Sequence, residues 1–325
     1  MRAIVQHRFG DPADVLAVEE VALPEPGPGQ VRLKIVLSPI HNHDLWTARG
    51  SYGVVPELPA RAGTEAVALV DALGEGVTGL AVGQRVATGG TFGVWAEYVL
   101  APAGGLIPVP EGVPEEVAAQ LVAMPFSAIS LIDQLGLGEG DWLVQNAANG
   151  AVGRLVAQLA AARGLNVVGL VRRSAAVAEL AAQGISGVVA TDVEGWRDEV
   201  LALTGGAAIG VGVDSVGGAA SGQVLSLLGD GGSLVVFGAM QSPILQLPVG
   251  DIIFRDLTVR GFWGSTVGAR MAADKRGALF GELITRISSG ALTLPVSATY
   301  GLDDIAAAVA ANAEPGRVGK VMLRP

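Results

Sequence analysis

Eight residues, Asn146-Ala147-Ala148-Asn149-Gly150-Ala151-Val152-Gly153, lie between a short apolar run, Trp142-Leu143-Val144-Gln145, and a stretch with apolar residues at helical spacing, Arg154-Leu155-Val156-Ala157-Gln158-Leu159-Ala160. Strand, glycine-bearing turn and helix in that order are the parts of a dinucleotide site. Against the pattern G-x-G-x-x-G, Gly150 and Gly153 match, and Ala148 stands where the first glycine would be. Gly150 lets the backbone approach a pyrophosphate, Gly153 lets helix and strand pack closely, and the helix N-terminus faces the phosphates. Asn149, Gly150, Ala151, Val152 and Gly153 are therefore the candidate cofactor contacts. The competing reading is a tight strand-to-helix turn with no ligand.

The second strand of such a unit, Asn166-Val167-Val168-Gly169-Leu170-Val171, chooses between nucleotides. A site for NADH usually ends this strand on Asp or Glu, which binds the ribose hydroxyls. Here the strand ends on Val171 and continues Arg172-Arg173-Ser174. Guanidinium groups bind phosphate in forked pairs, so two of them beside a hydroxyl suit the 2′-phosphate of NADPH. The alternative is a pair of solvated cations at a helix start, a place where the helix dipole disfavours positive charge. Phe237 and Gly238, at the end of a later apolar run over 233–237, are further candidate cofactor contacts.

Positioning these residues requires a parallel sheet. From about residue 121 the chain alternates apolar strands with helical segments: strands are expected at 142–145, 166–171, 187–190, 209–213, 233–237 and 257–261. Such alternation specifies a doubly wound α/β domain covered on both faces. Gly164 is expected to end the first helix, Ser174 to cap the second and Gly184 to end it. Residues 1–120 instead read as β-rich and loop-rich. Val31-Arg32-Leu33-Lys34-Ile35-Val36 alternates in period two, Pro24-Glu25-Pro26-Gly27-Pro28-Gly29 is a turn cluster, and further strands are expected at 66–70 and 95–99. The last residues return to strand–helix–strand. The expected division is thus a β-rich domain of 1–120 completed by 297–325, and a nucleotide domain of 121–296.

Composition narrows the chemistry further. At 325 residues, half of them apolar and 16% charged, the chain has the make-up of a two-domain globular protein. A net charge of −10 argues against a nucleic-acid partner. No apolar run approaches the length that a membrane span needs, and a cytoplasmic location is expected. With no cysteine and only His7, His41 and His43, thiol nucleophiles are excluded and a metal centre is disfavoured. His41 and His43 alternate along the chain, but no third ligand follows at a suitable spacing.

Taken together the chain resembles the medium-chain dehydrogenase/reductase superfamily over nearly its whole length. Its zinc-free quinone reductase and 2-enoyl thioester reductase branches are the most similar. Gly50-Ser51-Tyr52-Gly53-Val54-Val55-Pro56-Glu57-Leu58-Pro59 resembles the segment bearing the catalytic tyrosine of mitochondrial-type enoyl thioester reductases. Gln145-Asn146-Ala147-Ala148-Asn149 resembles the start of their nucleotide turn, and 253–263, ending Arg260-Gly261-Phe262-Trp263, resembles another of their segments. The resemblance implies a GroES-like catalytic domain beside a Rossmann domain, NADPH as cofactor and a homodimer joined along the strand at 257–262. Where zinc enzymes of the superfamily carry a ligand cysteine and a His-Glu pair, this chain has His41 and Thr64-Glu65.

The resemblance also implies a reaction: hydride transfer to Cβ of a trans-2-enoyl thioester. Without a Lewis acid, hydrogen-bond donors must hold the enolate charge. Tyr52 is the candidate donor, while Ser127 and His41 are further candidate catalytic residues, and Trp263 is a candidate wall of the acyl pocket. Two other readings share the cofactor: reduction of quinones or enones, and a non-enzymatic NADPH-binding protein.

Overall fold

The computed structural model describes residues 1–325, and these form two units: Met1–Ala123 with Thr293–Pro325, and Met124–Leu292. The expected division at 120/121 and 296/297 thus lies within four residues of the observed one.

In the first unit the alternating segment forms the strand Gln30–Pro39, which sends Val31, Leu33, Ile35 and Leu37 inward and leaves Lys34 exposed. It pairs antiparallel with Ala66–Leu73 on one side and with Tyr98–Pro102 on the other. The C-terminal strand Lys320–Arg324 joins the same sheet against Ser38 and Pro39. Its helix Ile305–Ala313 packs Ile305, Ala308 and Val309 into the unit's core. The strand expected at 95–99 begins only at Tyr98. Trp95 and Ala96 are held instead by backbone bonds to Ile4 and Ala62 and one bridge to Ala3, because the fully buried Trp95 ring fills the space beside Gly63. A Cβ at Gly63 would stand 2.3 Å from that ring.

The second unit is a six-stranded sheet whose strands are β1 (Trp142–Gln145), β2 (Asn166–Val171), β3 (Val188–Ala190), β4 (Ile209–Asp214), β5 (Leu228–Val236) and β6 (Thr258–Gly261). Their spatial order is β3-β2-β1-β4-β5-β6, and every pairing is parallel. This is the doubly wound Rossmann order, with its switch point between β1 and β4. Val144, Val168, Leu170 and Leu234 are buried, as strands covered on both faces require. β5 starts five residues earlier than expected, since Leu228 pairs with Ile209 ahead of an irregularity in β4. Gly164 and Gly184, both at positive φ, follow the ends of helices Ala151–Ala162 and Ala175–Ala181. There the N–H groups of Leu165 and Ile185 return to carbonyls inside the helices they leave.

Candidate active site

The nucleotide turn grows out of the switch point. After Gln145, the Asn146 amide spans β1 and β4: its Nδ2 donates to Asp214 Oδ1 at 2.5 Å, and its Oδ1 accepts the Ser215 N–H at 2.7 Å. Asp214, wholly buried, also accepts from the N–H groups of Val216 and Gly217 and from the Ser221 hydroxyl. One carboxylate therefore sets the conformation of the turn after β4 and fastens it to the turn after β1. The sequence reading singled out neither Asn146 nor Asp214 for this role. An acidic residue ending a buried strand was the available signal.

Gly150 is the N-cap of the helix Ala151–Ala162, and no side chain caps it. The N–H groups of Ala151, Val152 and Gly153 in the first turn are left for a ligand. A Cβ at Gly153 would lie 2.6 Å from the Ala147 carbonyl oxygen and 2.8 Å from Ala148 Cα, so only glycine permits this approach of helix to turn. Asn149 is half-buried in the same turn. Ala148, in place of the first glycine, is buried with Val171 and Ala176, and its methyl faces Gly169 of β2, where a Cβ would stand 3.0 Å away. The methyl is thus accommodated by a glycine on the neighbouring strand. These features fit a pyridine dinucleotide diphosphate.

Arg172 and Arg173 follow β2 and are exposed. Ser174 departs from expectation. It stands at the start of the helix Ala175–Ala181 but makes no side-chain cap, because its backbone is already helical at φ −55° and ψ −35°. Its hydroxyl donates to Asp192 Oδ1 at 2.8 Å and its N–H to the other oxygen at 3.3 Å. Phe237 and Gly238 leave the end of β5 with both N–H groups donated to the Asp214 carbonyl, and the Phe237 ring stacks on Phe262 at 5.7 Å. Ser127 is half-buried on the helix Ala123–Gln134. Its hydroxyl has room because residue 264 is glycine: a Cβ there would fall 2.6 Å from Oγ. The neighbouring Trp263 is 43% exposed and lines a cavity of this unit.

The first unit holds a second polar group. The helix Asn42–Ala48 follows the strand Gln30–Pro39, and the His41 N–H ahead of it donates to Asp44 Oδ2 at 2.9 Å. Thr64 donates to Asp44 Oδ1 at 2.7 Å and accepts from His43 Nε2 at 2.7 Å. His43 stacks between His41, at 4.8 Å, and Tyr52, at 5.6 Å. Tyr52 itself is half-buried in the loop after that helix.

His41, the other residue expected among the catalytic groups in this unit, lies in the interior. It is fully buried, its Nε2 shares a proton with Glu65 Oε2 across 2.6 Å, and its Nδ1 has no partner. Burial, with Lys320 nearby, holds its pKa well below the ordinary histidine value. Glu65 accepts the Val122 and Ala123 N–H groups through its other oxygen, at 2.6 and 2.7 Å. Burial pushes its carboxyl up to about 7 against those two bonds, and burial likewise lowers Lys320 to about 8. Lys320 comes from the far end of the chain and reaches the Ile40 carbonyl at 3.4 Å. No group of three or more His, Asp or Glu side chains is arranged to ligate one metal ion. His41 and Glu65 satisfy each other instead.

Comparison with known proteins agrees with this geometry. The alcohol dehydrogenase GroES-like domain family matches residues 27–111, and the zinc-binding dehydrogenase family matches residues 151–276. The mitochondrial enoyl-[acyl-carrier-protein] reductase of Homo sapiens is 34% identical over 340 residues, covering 99% of this chain and 88% of its own. A mycobacterial structure complexed with NADPH superposes with a TM-score of 0.89 at 28% identity, covering 100% of both chains. A Pseudomonas syringae quinone oxidoreductase gives 0.89 at 27%, again over 100% of both. The chain belongs to the zinc-free branch of the medium-chain dehydrogenase/reductase superfamily, among the mitochondrial-type enoyl reductases and the quinone oxidoreductases.

Proposed function

We propose that this protein is an NADPH-dependent reductase of trans-2-enoyl thioesters. The observation that carries the cofactor assignment is the uncapped helix start at Gly150 beside a second strand that ends in two exposed arginines rather than an acid. The enoyl specificity is supported by the 34% identity, over almost the whole chain, to an enoyl-[acyl-carrier-protein] reductase.

NADPH, when bound, would supply the hydride needed at Cβ of the conjugated thioester. The electron pair moves onto the thioester oxygen as an enolate, and a proton taken up at Cα completes the saturated product. Tyr52 is assigned the hydrogen bond to that developing charge and the proton for Cα, after which its phenolate recovers a proton from solvent. His43, stacked on the Tyr52 ring and held by Thr64, restricts the directions in which the phenol can point. Ser127, half-buried with its hydroxyl against Gly264, would offer a hydroxyl to the cofactor. Arg172 and Arg173 would hold the 2′-phosphate, and the Ala151, Val152 and Gly153 amides would hold the pyrophosphate.

The same reading includes a homodimer. β6 is an edge strand, and an unpaired edge invites a second copy. Next to it in sequence, Ile253 and Phe254 are 63% and 85% exposed, apolar surface of the kind that interfaces cover. Sedimentation as a monomer at micromolar concentration rules this out.

Quinone reduction is the second reading, favoured by the full-length match to a quinone oxidoreductase. Following NADPH consumption with crotonyl-CoA, a long-chain enoyl-CoA and a benzoquinone side by side separates the two. Turnover of the benzoquinone alone refutes the enoyl assignment.

A further inference from the structure

The second unit contains a cavity of about 620 Å³ apart from the nucleotide turn. Its lining includes neighbours of residues assigned to the cofactor. Its wall includes Val236, the last residue of β5, and Phe262, whose ring stacks on Phe237. It also includes Trp263, next to the glycine that packs against Ser127. The rest of the lining carries two cations, Arg270 and Lys275. Lys275 is already neutralised: its Nζ stands 2.5 Å from Asp133 Oδ1. Arg270 is exposed and ends the helix Gly264–Arg270, and no carboxylate lies within ion-pair distance of it. The dipole of a helix this short tolerates a cation at its C-terminus, but it does not account for an unpaired guanidinium in the lining of this cavity. In a chain of net charge −10, a local cation of this kind is a specific attraction set against a general repulsion of anions.

Phe262, Trp263 and Met271 in the lining, together with the uncharged polar Gln134 and Thr266 and one unpaired guanidinium, suit a long ligand that is uncharged along its length and anionic at its end. We propose that Arg270 binds the phosphate terminating the pantetheine arm of the acyl thioester. The inference rests on the enoyl thioester reading and extends it, because a quinone carries no such group. The phosphate is common to coenzyme A and to a carrier protein.

The test compares Arg270→Gln with the wild type on three crotonyl thioesters: N-acetylcysteamine, which has no phosphate, 4′-phosphopantetheine and coenzyme A. The expected result is a loss of about tenfold in kcat/KM, carried by KM, with both phosphate-bearing substrates. The loss is absent with N-acetylcysteamine and smaller for Arg270→Lys. Affinity for NADPH, measured by fluorescence, stays the same and confirms that the variant is folded. An equal loss on all three substrates, or none on any, overturns the proposal. So does a loss confined to coenzyme A, which places the contact on its nucleotide phosphates. Wild-type KM values for crotonyl-CoA and a crotonyl carrier protein identify the preferred carrier, and the Arg270 effect is expected on both. A wild type that reduces benzoquinone but no crotonyl thioester refutes the enoyl reading itself, and the inference falls with it.

Discussion

Asn146 and Asp214, 68 residues apart, are joined side chain to side chain at 2.5 Å across the switch point of the sheet. Asp214 gathers four donors in all, from Asn146, Val216, Gly217 and Ser221. Replacing it by Ala leaves these buried groups without an acceptor. Since each unsatisfied buried group costs about 1–3 kcal/mol, Asp214→Ala is expected to lose at least about 3 kcal/mol of stability in urea denaturation. Asp214→Asn keeps the shape and is expected to fold but to bind NADPH more weakly, because the turn after β4 is loosened. Unchanged nucleotide affinity in Asp214→Asn would show that this link is not needed for the site.

Arg172 and Arg173 are assigned to the 2′-phosphate, a group that NADH lacks. Replacing both with Ala is expected to lower the preference for NADPH over NADH by about 10²-fold, through the loss of two charge-assisted contacts. The ratio of kcat/KM for the two nucleotides measures it. If that ratio stays put, the phosphate is held elsewhere. Asp192, which takes the Ser174 hydroxyl, is a carboxylate close to the proposed phosphate. Its replacement by Asn is expected to strengthen NADPH binding.

Tyr52→Phe keeps the ring that stacks on His43 and removes only the hydroxyl. Enoyl thioester turnover is expected to fall by about 10²–10³, while benzoquinone reduction, which needs no proton at carbon, is largely retained. A parallel drop on both acceptors would point to a structural role for the tyrosine.

Glu65 and Lys320 give the protein an unusual pH response. Glu65 has its folded pKa raised from 4.5 to about 7, so the folded state holds the extra proton between those values. Its contribution to stability is fully present below about 4.5 and is lost as pH rises to about 7. Lys320, lowered from 10.5 to about 8, acts in the opposite sense, and its contribution grows as pH rises from about 8 to 10.5. His41, held well below 6.5, also opposes Glu65, since its contribution grows as pH rises toward 6.5, so the Glu65 limb is isolated only by comparison with a Glu65 variant. Glu65→Gln removes the acid limb. Wild-type stability relative to this variant is expected to rise by about 2–3 kcal/mol from pH 7.5 to pH 5 in urea titrations. A pH-independent difference would refute the shift.

What the sequence determined by itself was local. The alternation over 31–36, the apolar runs at 142–145 and 166–171, and the glycines closing two helices are short-range signals, and the structure reproduces them at nearly the same residues. The nucleotide turn belongs with them, since strand, turn and helix start lie within about a dozen consecutive residues. Tertiary structure decided the rest, because those partners are distant in sequence. Glu65 meets His41 across 24 positions, and Lys320 reaches the Ile40 carbonyl from 280 residues away. Burial then moved their charges, a quantity that depends on the whole surrounding shell and not on residue type. The same is true of Ser174, whose hydroxyl was taken by Asp192 from the neighbouring βα turn. A side chain with several possible partners is assigned only when the fold brings one of them close, and that choice is not written in its own neighbourhood.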